Sequence, residues 1–231
     1  MLDGVRREAL ARLSASRASL RVIRTHEHDP RTAEFTRSAK GLLFVQNYAV
    51  YEYVVVQSVR ELIAAANARE RTLAGTRPEL LSMALRGEFE SVVDGSGGKT
   101  WQGRMALLRK ARSREVAAID EGLFPKDGSH FRPAQLRTIW DLFGLPGEVV
   151  PQPRLLGMIT EMVENRNAIA HGSEAPFSVG GRFTAAEMGK RIDGTEEICT
   201  HIIETFKRHA RHPEAFSAHD RRLRAGGVVS G

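Results

Sequence analysis

Apolar positions recur every three or four residues along most of the chain, which is the spacing of one face of an α-helix. Val5, Ala9, Leu13 and Leu20 predict an arginine-rich amphipathic helix over residues 3–24, closed by the polar turn THEHDP and its Asp29-Pro30. A long helix follows from Thr32 to Leu73, with Gly75 as its stop. The run Tyr53 to Val56 favours strand locally, and the helical period around it overrides that preference. Pro78, at a first-turn position, opens a third helix that reaches Phe89. The stretch SVVDGSGGKTWQG reads as a glycine-rich loop before a helix from Arg104 to Ile119.

After the loop LFPKDGSHF, Pro133 starts a shorter helix that ends in WDLFGLP, where Gly144 and Pro146 stop it. Arg154 to Ala170 is the next helix, capped by Gly172. APFSVGGRF is a glycine-broken connection with room for a short extended excursion. Thr184 and Glu187 have the spacing of a capping box, and the last helix carries Ile192, Ile198, Ile202 and Phe206 as far as His212-Pro213. With no repeat and no heptad array, the pattern predicts an all-α helical bundle. Its expected organisation is an N-terminal amphipathic helix and turn over 1–30, a helical domain over 31–212 with a loop-containing insertion at 90–132, and a flexible basic tail over 213–231.

At 231 residues with 42% hydrophobic content, the chain can bury a core in one domain, with or without a small insertion. No run approaches the roughly 18 apolar residues of a membrane span, and MLDGVRREAL lacks the apolar block of a secretory signal. The expectation is a cytoplasmic protein with no membrane partner. A single cysteine, Cys199, excludes an internal disulfide and a thiolate-rich zinc site. The net charge of +6 is mostly arginine, with six lysines among 34 basic residues. Arginine's planar fork matches phosphate oxygens, which points toward nucleic acid, while the scatter of the charge is equally what a biased base composition produces.

Two motifs are set aside. Gly98-Lys99-Thr100 imitates the end of a phosphate-binding loop, but the motif needs a glycine where Val93 stands, and no strand–helix alternation surrounds it. His26 and His28 beside Asp29 lack a second cluster that would complete a metal shell. No cofactor and no metal is expected.

The stretch ENRNAIAHG, Glu164 to Gly172, sets Arg166, Asn167 and His171 at the end of a helix. Asn167 and His171 share one face, and Arg166 lies about 140° around from His171, with a stem long enough to return its guanidinium to the same edge. Imidazole passes a proton near neutral pH and guanidinium stabilises a phosphate that gains charge, while the amide orients the ring or holds a phosphate oxygen. The set suits metal-independent cleavage of RNA by its own 2′-hydroxyl, with a second copy of the chain supplying the second histidine. The spacing alone decides nothing. Arg21 and His26 repeat it, and a cation ending a helix also complements the dipole. On the long helix, Glu52 interrupts the apolar series Val45, Ala49, Val56, Val59, Ile63, so it needs a partner or an exit to water. Arg166 is the candidate partner, with surface arginines such as Arg60 as the alternative.

ENRNAIAHG resembles the signature of the HEPN superfamily (higher eukaryotes and prokaryotes nucleotide-binding), in its RiboL-PSP branch: arginine, polar residue, short spacer, histidine. Leu136 to Gly172 is similar to that family's helix, FGL-type turn and motif helix in order, and GLLFVQNYAVYEYVVVQSV to its first core helix, which often carries an acidic residue where Glu52 stands. The likeness spans residues 33 to 210. It implies a bundle that dimerises with its motifs facing and cleaves RNA to 2′,3′-cyclic phosphate and 5′-hydroxyl ends as a toxin or antiviral effector, alone or under an antitoxin or other partner. It assigns His171 as acid or base, Arg166 to the scissile phosphate, Asn167 to orientation and Glu52 to support of Arg166. Other members of the same fold only bind RNA or a partner protein.

Overall fold

The protein is all-α. A computed structural model describes residues 1–94, 99–123, 131–212 and 214–218. The glycines at 95–98 of the expected loop, residues 124–130 of the loop before Pro133, Pro213 and the tail from 219 lie outside the described residues. Among the described residues the elements are α1 (Asp3–His26), α2 (Ala33–Asn67), α3 (Pro78–Ala84), α4 (Arg86–Asp94), α5 (Lys99–Ala111), α6 (Pro133–Phe143), α7 (Arg154–Ala170), α8 (Pro176–Gly180) and α9 (Ala185–Arg211). Extended pairing there is limited to the isolated bridges Thr72–Val116 and Thr76–Ser217.

The chain forms two compact units, the first made of Met1–Ser58, Gly128–Thr138 and Gly147–Lys207, the second of Val59–Asp127, Ile139–Pro146 and Arg208–Gly231. In the first, α1 buries Val5, Ala9, Leu13, Leu20 and Ile23, the stripe its 3.6-residue period dictates. Its ion pairs run in reverse order along α9: Asp3 to Lys207 at 2.6 Å, Arg6 to Glu204 at 2.9 Å, Arg17 to Glu196 at 2.5 Å. The two helices are therefore antiparallel. The same holds for α7 and α9, where Arg154 meets Glu197 at 3.1 Å and Arg191 takes both oxygens of Glu161 at 2.8 Å.

Capping fixes where α9 begins. The Thr184 amide donates to Glu187 Oε2 at 2.7 Å and the Glu187 amide to Thr184 Oγ1 at 3.2 Å, the reciprocal bonds of a capping box. The Ala185 amide donates to Glu27 Oε1 at 2.7 Å, so a second carboxylate sits at the positive end of the helix. Glu27 also accepts from the buried Lys40 at 3.3 Å, and Lys40 donates to the Phe183 carbonyl. The segment expected to be a glycine-broken connection contains α8, which lies backbone to backbone on the start of α2. A Cβ on Gly41 would overlap the Pro176 carbonyl, and one on Gly180 would overlap the Arg37 carbonyl.

In the second unit, boundaries depart from the sequence expectation. α2 ends at Asn67 and not at Leu73, because the Asn67 side chain bonds the backbone of Ile119 from both sides at 2.9 Å and Glu70 turns left-handed at φ 46°. The helix expected to reach Ile119 stops at Ala111. The chain beyond it hydrogen-bonds to the backbone after α2, with Leu73 N to Glu115 O and Ala117 N to Arg71 O both at 2.8 Å. The expected Pro78–Phe89 helix is two helices joined at Leu85, which turns into a small core with Leu73 and Ala117. The tail expected to be loose from 213 is anchored over 215–217: Ala215 and Phe216 are buried, and the Arg69 guanidinium lies 4.7 Å from the Phe216 ring.

Candidate active site

α7 spans the residues its sequence predicted. It ends because Gly172 takes φ 72°, a left-handed conformation that an L side chain resists. The Gly172 amide then closes on Ile169 O at 3.1 Å and the Glu174 amide on Ala168 O at 3.1 Å, satisfying carbonyls the helix would leave open. His171 is the cap residue. Its amide bonds Asn167 O at 2.9 Å while its ring stands in solvent, with no hydrogen bond among the described residues.

One turn earlier the side chains are held firmly. Arg166 Nη1 donates to Asn167 Oδ1 at 3.0 Å, and the guanidinium lies over the ring of Tyr48, 4.8 Å from its centroid. Such a stack fixes a cation without neutralising it. Tyr48, fully buried on α2, donates its hydroxyl to Glu52 Oε1 at 3.2 Å and meets the edge of Tyr51 at 6.2 Å. Burial, and after it the Glu52 carboxylate, pushes the Tyr48 phenol up to about 12, while the Arg166 charge pulls the other way. Glu164 turns to an exposed ion pair with Arg132 at 3.4 Å.

The structure thus gathers Arg166, Asn167, Tyr48 and Glu52, with His171 one turn beyond on the Asn167 face. Two expected contacts are arranged differently. Glu52 and Arg166 do not form an ion pair; Tyr48 stands between them, its ring under the guanidinium and its hydroxyl on the carboxylate. Asn167 engages the guanidinium, not the imidazole. The reason is one of register. The buried face of α2 is Leu43, Phe44, Tyr48, Tyr51, Val54, Val55 and Val59, whereas Ala49 of the expected stripe is exposed and Val45 and Val56 are only half-buried. Glu52 therefore borders the core and reaches its carboxylate to the rim.

No protein-family model, no curated protein and no solved structure matches the chain. The site presents a guanidinium with no carboxylate within ion-pair distance among the described residues, beside an exposed imidazole. Among the described residues no cluster of three or more His, Cys, Asp or Glu is placed to hold a metal ion, and no helix is long and apolar enough to cross a membrane.

Tyr48 is the residue sequence reading missed. Its signal was available as an aromatic four positions before an acid, Tyr48 and Glu52, the spacing at which helical side chains meet.

Proposed function

We propose that the chain is a metal-independent endoribonuclease of the HEPN type, acting as a homodimer whose two α7 ends face one RNA strand. The observation that carries this reading is the contrast at the end of α7: Arg166 is pinned by Tyr48 and Asn167, while His171 is exposed and its ring makes no hydrogen bond among the described residues. A pinned cation suits a phosphate, and an open imidazole suits proton transfer with something that arrives from outside. The likeness of ENRNAIAHG to the family signature supports the same assignment.

In the reaction, His171 of one copy takes the proton from a ribose 2′-hydroxyl, and the 2′-oxygen attacks the adjacent phosphorus. The bond from phosphorus to the 5′-oxygen breaks, and the His171 imidazolium of the second copy returns a proton to that leaving oxygen. The products are a 2′,3′-cyclic phosphate and a 5′-hydroxyl end. Arg166 balances the charge that builds on the non-bridging oxygens, Asn167 holds the guanidinium at its station, and Glu52 holds Tyr48 beneath it. Cytoplasmic RNA is the substrate, and a toxin or antiviral effector restrained by an antitoxin or defence partner is the setting.

The test is incubation of the purified protein with total RNA in EDTA, followed by mapping of cyclic-phosphate ends, beside His171→Ala. Cleavage is expected from the wild type and not from the variant. Equal cleavage by the two rules out His171 as the proton carrier, and binding without cyclic-phosphate ends assigns the protein to the non-cleaving, RNA-binding class of this fold.

A further inference from the structure

A cleft of about 270 Å³ opens between α1 and α9, lined by Arg17, Arg21, Arg24, Leu20, Gly189 and Asp193 among others. Its one carboxylate is already committed: Asp193 accepts from Arg17 at 2.8 Å, and Arg17 also bonds Glu196 at 2.5 Å. The guanidinium groups of Arg21 and Arg24 make neither an ion pair nor a hydrogen bond among the described residues, and both residues are exposed. Three arginines at successive spacings of four and three crowd like charges onto one face of α1, which is unfavourable in an isolated helix. An anion between Arg21 and Arg24 removes that penalty.

Gly189 shapes the floor. A Cβ there would come within 2.9 Å of Arg24 Nη2, so the absence of a side chain is what lets this guanidinium lie against the backbone of α9. The neighbouring face of α9 continues the sign of the charge. A wider groove of about 520 Å³ between α7 and α9 is lined by Lys190, with Arg154 held by Glu197 and Arg191 held by Glu161. Arg17 faces two acids, Asp193 and Glu196, while Arg154 and Arg191 face one each, so this side of α9 stays net positive, with Arg21, Arg24 and Lys190 outside those ion pairs. The smaller cleft lies just under the roughly 300–1,000 Å³ range of pockets that enclose whole drug-sized ligands, so it suits a phosphate with its sugar and not a complete cofactor.

We infer that the α1–α9 cleft binds a phosphate group, held by the guanidinium forks of Arg21 and Arg24 over Gly189, as part of a nucleic-acid backbone or of a free nucleotide. Two forks with no carboxylate of their own match the oxygens of phosphate, and bidentate pairing gives the contact its direction. Because α1 and α7 both run antiparallel to α9, Arg24 and Arg166 stand toward the same end of this unit. The inference does not depend on the role given to His171.

The experiment uses the whole protein and three probes: a labelled 2′-O-methyl RNA 12-mer, which cannot be cleaved through its 2′-oxygen, AMP, and inorganic phosphate. The variants are Arg21→Ala with Arg24→Ala, Gly189→Ala, and Arg7→Ala as a charge control about 21 Å along the same helix. The double variant is expected to bind the 12-mer at least tenfold more weakly, and its salt slope to fall by about 1.4, two contacts at roughly 0.7 each on a single strand. Gly189→Ala, which need displace only the flexible end of Arg24, is expected to weaken binding several-fold in a folded protein, and Arg7→Ala to stay within twofold. Loss confined to AMP and inorganic phosphate, followed by ³¹P line broadening, also supports the site and names a free phosphate as its ligand. If the double variant matches Arg7→Ala with every probe, the site is overturned. Because the 12-mer cannot be cleaved through its 2′-oxygen, binding by the arginine variants and cleavage by His171→Ala are read separately.

Discussion

Arg166 and Glu52 are coupled through one ring: the guanidinium lies on the face of Tyr48 and the carboxylate accepts the Tyr48 hydroxyl. The cation therefore keeps its charge for a ligand, because its support is a π face and an amide oxygen. Tyr48→Phe keeps the face and loses the hydrogen bond to Glu52, at a cost of about 1 kcal/mol, whereas Tyr48→Leu removes the seat of Arg166. RNA cleavage is expected to survive the first substitution within a few-fold and to fall at least tenfold in the second, measured as kcat/KM beside an urea-unfolding control.

The same tyrosine makes stability depend on alkaline pH. Its phenol is held at about 12 in the folded chain, against about 10 when unfolded. The folded state thus keeps the proton longer, and the contribution of this tyrosine is constant below about pH 10 and is lost as pH rises through about 12. Tyr51, buried fully and bonded to the Phe131 carbonyl at 2.7 Å, is raised in the same direction. Absorbance of tyrosinate at pH 11 should report incomplete ionisation of the three tyrosines until denaturant is added. Tyr48→Phe should remove one of the two protected groups.

Glycines of α2, α7 and α8 predict opposite outcomes from one substitution. Gly41→Ala and Gly180→Ala drive a methyl into a backbone carbonyl that has no rotamer with which to retreat, so each should destabilise the protein by about 2–3 kcal/mol. Gly157→Ala on α7 meets nothing within 4 Å and should stabilise by about 0.5–1 kcal/mol through helix propensity. Urea midpoints moving the same way for all three would contradict the close approach of α8 to α2.

Glu27 serves two donors, the Lys40 ammonium and the first amide of α9. Glu27→Ala leaves a buried lysine with only the Phe183 carbonyl, and the expected loss is about 2–3 kcal/mol, discounted from the range for fully buried pairs because Glu27 is partly exposed. Lys40→Met on that background should recover part of it, as measured by thermal unfolding.

Cys199 is buried, and burial pushes its thiol well above the usual range. A thiol-reactive dye should fail to label the native protein over an hour and label it stoichiometrically in guanidinium chloride.

The parts of this molecule written in local chemistry were legible from sequence. α7 is bounded by Arg154 and Ala170 as expected, because its stop is a glycine, and α9 begins where Thr184 and Glu187 cap each other. What escaped depends on partners distant in sequence. Asn67 ends α2 by bonding Ile119, and Leu85 splits a helix to reach Leu73 and Ala117. At the site, Arg166, Asn167 and Glu52 were found together, but their wiring was not. Reading the α2 stripe one position off placed Glu52 inside the core and hid Tyr48, whose identity as the buried neighbour only packing reveals.

Tyr48 combines a flat π face under Arg166, an edge contact with Tyr51 and a donor that reaches Glu52. Phenylalanine keeps the face without the donor, and leucine has neither. Sequences sharing this arrangement should therefore be easier to find by a tyrosine and a glutamate four apart on an early helix, joined to an arginine–asparagine pair on a later one, than by any count of residues between arginine and histidine.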